Sequence, residues 1–448
     1  MDPAACLAEL AELDPCLSYG KVTKVVGMIV EGRGVKAPLG AVCHLIPESH
    51  RGRNAPACRS GHIAAEVVGF RDGALLFMPY GDMRGIQPGS LIQNSSMPPH
   101  FPVGDSLLGR AVDAFGVPLD APQGACVPMH TGQHRPLFAS PPNPLARPRI
   151  LTPLDVGVRA INSLLTLGKG QRVGIMAGSG VGKSTLMGMM ARYTKADVNV
   201  IGLIGERGRE VVEFMEKDLG PEGLARSCLV VATSDQSPLV RLRAAYAATA
   251  LAEHFRDQGK DVLLMMDSVT RFAMAAREVG LAVGEPPTTK GYTPSVFAQL
   301  PKLLERAGTN EKGTITGIYT VLVDGDDFNE PIADAVRSIL DGHLVLTREL
   351  ADQGHYPCID ILKSISRLKN DIISAEMCSA GQTVLRHMAT YKRVEDMVNI
   401  GAYTPGANAD IDKALQMIGP IRQFLQQPVA EQSPLEQSFA ALGKLAAQ

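Results

Sequence analysis

The sequence predicts an α/β fold: a mostly parallel sheet with helices on both faces, preceded by a small β-barrel and followed by a helical domain. Three observations carry this expectation. Between about 151 and 375, the apolar runs "RVGIMA", "VNVIGLIG", "CLVVATS", "DVLLMMD" and "TGIYTVLVD" alternate with helical stretches. Strands apolar on both sides belong to a sheet covered on both faces. Over 19–95 the runs are shorter and punctuated by turn residues, among them Asp72-Gly73, which reads as a hairpin turn. A closed barrel buries such strands without leaving edges. Over 376–448 helical spacing takes over, with Val384, Leu385, Met388, Tyr391, Val394, Met397 and Val398 three or four residues apart or adjacent.

Two segments complete the organisation. Residues 96–150 hold eleven of the 31 prolines, too many for long helices or central strands, and read as an irregular connection into the core. Residues 1–18 read as a short helix with Asp2 as cap and Pro3 in its first turn. About three turns are marginal alone, so this helix either packs on its own domain or waits for a partner.

Composition narrows the function. Apolar residues make up 45% and charged residues 20% of the 448, and the net charge is −2, which gives no basic field for nucleic acid. Aromatics at 5%, with no Trp, argue against base-stacking platforms. No stretch approaches the length of a membrane span, and the acidic start has no basic region of a secretory signal. The eight cysteines include no Cys-x-x-Cys pair and suit small buried residues in a reducing cytosol. His130 and His134 sit among Gly and Pro in a loop-like context, so no metal site is assigned to them.

The segment "AGSGVGKST" lies between the strand-like "RVGIMA" and a helix starting near Lys183. Gly178, Ser179, Gly180, Val181 and Gly182 can turn backbone N–H groups onto phosphates, with the helix N-terminus adding its dipole. Lys183 should reach β and γ phosphate oxygens, with Ser184 as a Mg2+ ligand and Thr185 behind it. The first motif position is Ala177 rather than Gly. "DVLLMMD" ends in Asp267, placed to hold the same Mg2+ at the C-terminal edge of the sheet. "GLIGERGREVVEF" sets Glu206 and Arg207 just after an apolar strand. These residues are either a solvated helix start, or Glu206 is the base that orients the attacking water.

In this order the elements resemble the catalytic subunits of rotary-type ATPases, most closely the ATPases of flagellar protein export and type III secretion. The resemblance runs through "GSGVGKST", "GLIGERGREV", "LLMMDSVTRFA", "GEPPTTKGYTPSVFAQLPKLLERAG", "YTVLVDGDDFNEPIAD", "ILDGHLVLTREL", "HYPCIDILKSISR" and "VGDSLLGRAVDAFGVPLD", nearly the whole chain. It implies a RecA-like P-loop NTPase core, ATP and Mg2+ as cofactors, Glu206 as catalytic glutamate with Arg207 beside it, and Tyr356 stacked on the adenine. It also implies that Arg367 is an arginine finger reaching the adjacent subunit's γ phosphate, and hence a homohexameric ring.

The implied partners are a stator-like regulator at the N-terminal helix, a central-stalk-like protein, the membrane export gate, and export substrates with their chaperones. Nucleic acid is not among them. The implied location is the cytoplasmic face of the inner membrane at the flagellar base. Segment 324–331 resembles the loop facing a central stalk, a plain surface loop being the other reading. Glu206 argues against the non-catalytic ring subunits, which carry Gln there. Val181 favours the flagellar branch over virulence secretion, whose members often carry Cys; a catalytic-type subunit of a rotary synthase is the remaining alternative.

Overall fold

The computed structural model describes residues 18–48, 61–94, 99–120, 132–323, 328 and 330–448. Six strands, β1 (Tyr19–Val26), β2 (Ile29–Arg33), β3 (Val42–Ile46), β4 (Ile63–Arg71), β5 (Ala74–Pro79) and β6 (Leu91–Asn94), close into a barrel in the order β1-β2-β5-β4-β3-β6. The run "GKVTKVVGMIVEG" is two of these strands, because Gly27 turns the chain at φ +57°. Asp72 (φ 49°) and Gly73 (φ 73°) make the tight turn that joins β4 to β5, with Arg71 opposite Ala74. Val30, Leu45, Val67, Phe77 and Ile92 fill the barrel.

The core is a nine-stranded sheet. Its order across the main path is Ile365–Ser366, Gly342–Leu346, Arg172–Ala177, Thr314–Leu322, Asp261–Asp267, Val198–Glu206, Ser227–Thr233 and Ala111–Val112, with Gly308–Thr309 pairing off it. The six strands from Gly342–Leu346 to Ser227–Thr233 run parallel to one another. Their continuous apolar runs follow from burial on both faces. Val198, Val200 and Ile204 pack with the helix Pro238–Asp257 in one core, while Ile201 and Leu203 face the other core beside the helix Lys183–Tyr193. Fully burying a side chain of this size is worth about 1.5–3 kcal/mol.

The proline-rich connection contributes more than a tether. Ala111–Val112 pairs in parallel with Leu229 and Val230 and extends the sheet, and His100–Val103 pairs with Gln133–Pro136. His134 lies on that ribbon, while His130 lies outside the described residues. So do residues 1–17 and most of 324–331, and with them the segments read as regulator-binding and stalk-facing.

After the sheet come three helices, Ala375–Asn399, Ala409–Leu425 and Leu435–Ala446. Val384, Met417, Ile421, Leu425 and Leu442 bury against the second core. The segment following Leu425 is pinned to the core by Gln427: its Oε1 accepts the Arg159 N–H at 2.7 Å and its Nε2 donates to the Gly157 carbonyl at 2.9 Å. No helix among the described residues is long and apolar enough to cross a membrane. The four described cysteines, Cys43, Cys228, Cys358 and Cys378, are free thiols, three of them buried.

Candidate nucleotide site

The parallel strands all end at one edge, where Lys183, Glu206 and Asp267 gather. Arg172–Ala177 feeds the glycine loop, and Lys183 opens the helix Lys183–Tyr193. Ala177 is the last residue of its strand, buried and paired with Leu322 and Leu346, with no positive φ. A glycine is therefore not needed at that position. The loop's left-handed residues are Gly180 (φ +77°) and Gly182 (φ +81°). A Cβ on Gly180 would meet nothing within 4 Å, so this wall of the loop is bare backbone, the surface a phosphate group needs. Ser179 and Ser184 are exposed at the mouth, Gly178 and Thr185 are half-buried, and Val181 is buried.

Lys183 Nζ lies 2.5 Å from Asp267 Oδ1 and 3.8 Å from Glu206 Oε1. Asp267 is nearly buried, and its Oδ1 also accepts the Thr320 hydroxyl at 2.7 Å. Thr320 thus fixes the carboxylate from the neighbouring strand. Glu206 reaches the cluster through a bulge. The pairing with Ser227–Thr233 breaks register between Ile204 and Glu206, and Gly205 sits at φ +73° in the break. Such a bulge re-aims the side chain that follows it. Burial first, then the Asp267 charge and the hydrogen bond to Glu210, push the Glu206 carboxyl up to about 8, with Lys183 opposing them. Glu210 is held low, first by that same hydrogen bond.

Arg207 is not part of this cluster. Its side chain is 79% exposed and lies 3.8 Å from Glu210. Tyr356 stands across the loop: a Cβ on Gly182 would lie 3.8 Å from its ring, which is 49% exposed. Beside it is a cavity of about 90 Å³, walled by Val181, Met189, Leu346, Pro357, Gln427 and Val429. The two polar ends of Gln427 are already used on backbone groups, so this cavity presents an apolar face suited to a flat ring.

Arg367 is elsewhere. Ser366 pairs with Gly342 at the start of a parallel strand, whereas Leu346, at its end, pairs with Ala177 beside the loop. Four residues of strand, roughly 13 Å, separate the two levels. Arg367 is exposed there, its N–H bonded to the Asp341 carbonyl at 3.0 Å. A cleft of about 710 Å³, walled by Arg147, Arg149, Arg172, Asp341 and Leu368, opens at this far edge.

Several contributors escape sequence reasoning. Thr320 is one. Gln427 and Val429 come from beyond the second of the closing helices, and Arg348 Nη2 donates to the Ser179 carbonyl at 2.8 Å. No local pattern marks them, because each acts across a tertiary contact of more than 50 residues.

Comparison with known proteins identifies the fold and the family. Residues 157–366 match the "ATP synthase alpha/beta family, nucleotide-binding domain", and residues 373–444 match the "T3SS EscN ATPase C-terminal domain". The chain is 55% identical over 430 residues to the flagellum-specific ATP synthase of Bacillus subtilis (strain 168), covering 95% of each chain. It is 49% identical over 434 residues to the type 3 secretion system ATPase of Xanthomonas euvesicatoria, covering 97% of this chain and 95% of that one. The assembled ATPase EscN of the enteropathogenic E. coli type III secretion system superposes with a TM-score of 0.87 at 46% identity, over 95% of this chain and 100% of that one. A second EscN structure, in complex with its central stalk EscO, superposes at 0.85. With likeness of this extent along both chains, the protein is an ATPase and belongs to the family of flagellum-specific ATP synthases and type III secretion ATPases.

Proposed function

We propose that this ATPase works as a homohexameric ring in flagellar protein export, each nucleotide site being completed by Arg367 of the adjacent copy. The observation that carries this reading is the separation within one chain: Lys183, Glu206 and Asp267 cluster at one edge of the sheet, and Arg367 lies at the other. A guanidinium placed there cannot serve its own loop, but a head-to-tail neighbour brings it to the next one, and such contacts close into rings.

Within a site, the loop amides and Lys183 hold the phosphates and Tyr356 stacks on the base. Ser184 and Asp267 would hold Mg2+. Their oxygen donors fit that ion, whose bound charge would neutralise the phosphate oxygens. Glu206 in its ionised form orients the attacking water and accepts its proton. Arg207, exposed beside Glu210, is assigned to the rim of the site and to contact with the neighbouring copy.

The partners follow the same reading: a central-stalk-like protein in the ring, as EscO is for EscN, a regulator on the N-terminal segment, and the export gate with its substrates and chaperones at the cytoplasmic face of the membrane. The likeness to EscN and to the Xanthomonas protein favours virulence secretion as the second reading. Rescue of swimming in a flagellar ATPase deletion strain separates the two.

Mixing inactive variants tests the shared site. Arg367→Ala and Glu206→Gln proteins, each inactive alone, should regain activity when assembled together, because an intact acid then meets an intact guanidinium at some interfaces. Absence of recovery at every mixing ratio overturns the shared site.

A further inference from the structure

We propose that Arg348 is a positioning residue for the phosphate loop, and that its hold is set by the helical domain through the Glu349–Lys392 ion pair. The inference rests on the reading that the loop takes phosphates. Arg348 and Glu349 open the five-residue helix Arg348–Asp352. Consecutive helical residues point about 100° apart, and these two reach in different directions. Arg348 Nη2 holds the Ser179 carbonyl at 2.8 Å. Glu349 Oε1 accepts from Lys392 Nζ on the helix Ala375–Asn399 at 3.0 Å.

The first contact bears on the chemistry because a peptide unit is planar and trans. The Ser179 carbonyl and the Gly180 N–H belong to one plane and point opposite ways. Drawing the carbonyl toward Arg348 therefore turns the Gly180 donor away from it, and fixes the direction of an amide on the bare wall of the loop. The second contact joins a chain of charges within the helical domain. Lys392 also bonds Glu395 at 2.9 Å, and Glu395 lies 3.5 Å from Arg422 on the helix Ala409–Leu425. The two carboxylates hold the Lys392 ammonium well above its usual range.

There is room for movement at this joint. Behind the ion pair lies a cavity of about 150 Å³ between the Thr347–Lys363 segment and the two helices, lined by Leu350, Ile359, Met388, Tyr391, Ile418 and Leu425. Packing is incomplete beside this pair, so the Glu349–Lys392 bond is the tie that carries a local displacement of the two helices to Arg348.

The test is ATP hydrolysis by the full-length protein, with kcat and KM measured separately. Lys392→Met should raise KM about two- to fivefold, the range of an exposed ion pair, with kcat changed less than KM. Glu349→Gln, which breaks the pair from its other end, should do the same. Arg348→Ala should raise KM roughly tenfold, and Arg348→Lys should recover part of it. In the Arg348→Ala background, Lys392→Met should add nothing, since its only route to the loop is gone. An equal effect of Lys392→Met in both backgrounds, or none in either, overturns the proposal, as does disagreement between Lys392→Met and Glu349→Gln. Binding of a fluorescent ATP analogue to Lys183→Ala reports separately on the loop: retained binding sinks the phosphate-loop reading itself, whereas loss of binding together with additive KM effects sinks only the role of Arg348.

Discussion

Glu206, the proposed base, is a half-buried carboxyl. Its environment raises its proton affinity, first by burial, so near neutrality much of it is protonated and unable to act as a base. In the free enzyme kcat/KM should therefore climb as pH rises through about 8, a limb that Glu206→Gln should abolish along with at least about 100-fold of the turnover. Stability should move the opposite way. A carboxyl whose folded value lies above its unfolded one favours the native state at low pH and loses that advantage as pH climbs toward the folded value. Glu206→Gln should thus be more resistant to urea than the parent at pH 9, with the difference shrinking at pH 5. Lys183, Asp267 and Glu206 are readable in the sequence because each ends or follows an apolar strand. Thr320, Arg348, Gln427 and Val429 are not, because their contacts depend on how distant segments dock.

The element that delivers Glu206 is the strand Val198–Glu206, and its working feature is the bulge at Gly205. An alanine there would adopt φ +73°, and its Cβ would lie 2.9 Å from the Arg271 Cβ. Gly205→Ala should cost about 1–3 kcal/mol in equilibrium unfolding and lower turnover more than it lowers nucleotide binding. Unchanged turnover would mean that the bulge does not aim the acid. The main parallel strands are legible because each is a largely apolar stretch of six to nine residues, a pattern with few other uses. Two were missed for physical reasons. "GHLVL" is only five residues long, and Ala111–Val112 is two residues inside a proline-rich stretch, held as a strand only by the edge of a sheet built elsewhere. The barrel's hairpin was legible from Asp72-Gly73, whereas the turn at Gly27 was hidden in what reads as one long strand.

For the whole molecule, the distance between Arg367 and the phosphate loop predicts a dependence on assembly. Specific activity should rise steeply with protein concentration and fall to a small residue under dilution that leaves the fold intact by circular dichroism. Constant specific activity through that dilution would show that each copy is self-sufficient. Domain order was readable from the hydrophobic pattern, since barrel, sheet and helical region differ in their period. How the segment after the second closing helix folds back beside Tyr356 was not, because Gln427 and Val429 carry no periodic signal: Gln427 is placed by Arg159 and Gly157, some 270 residues away, and Val429 by Arg192 and Tyr193.

The proposed sharing of Arg367 between copies also sets how damage would spread. A polypeptide lacking that guanidinium would keep its own lysine and acid in order, and would cripple the pocket of whichever sister molecule it abuts. A bacterium carrying one normal and one Arg367→Ala gene copy would then lose swimming out of proportion to the defective share, behaving as a dominant trait.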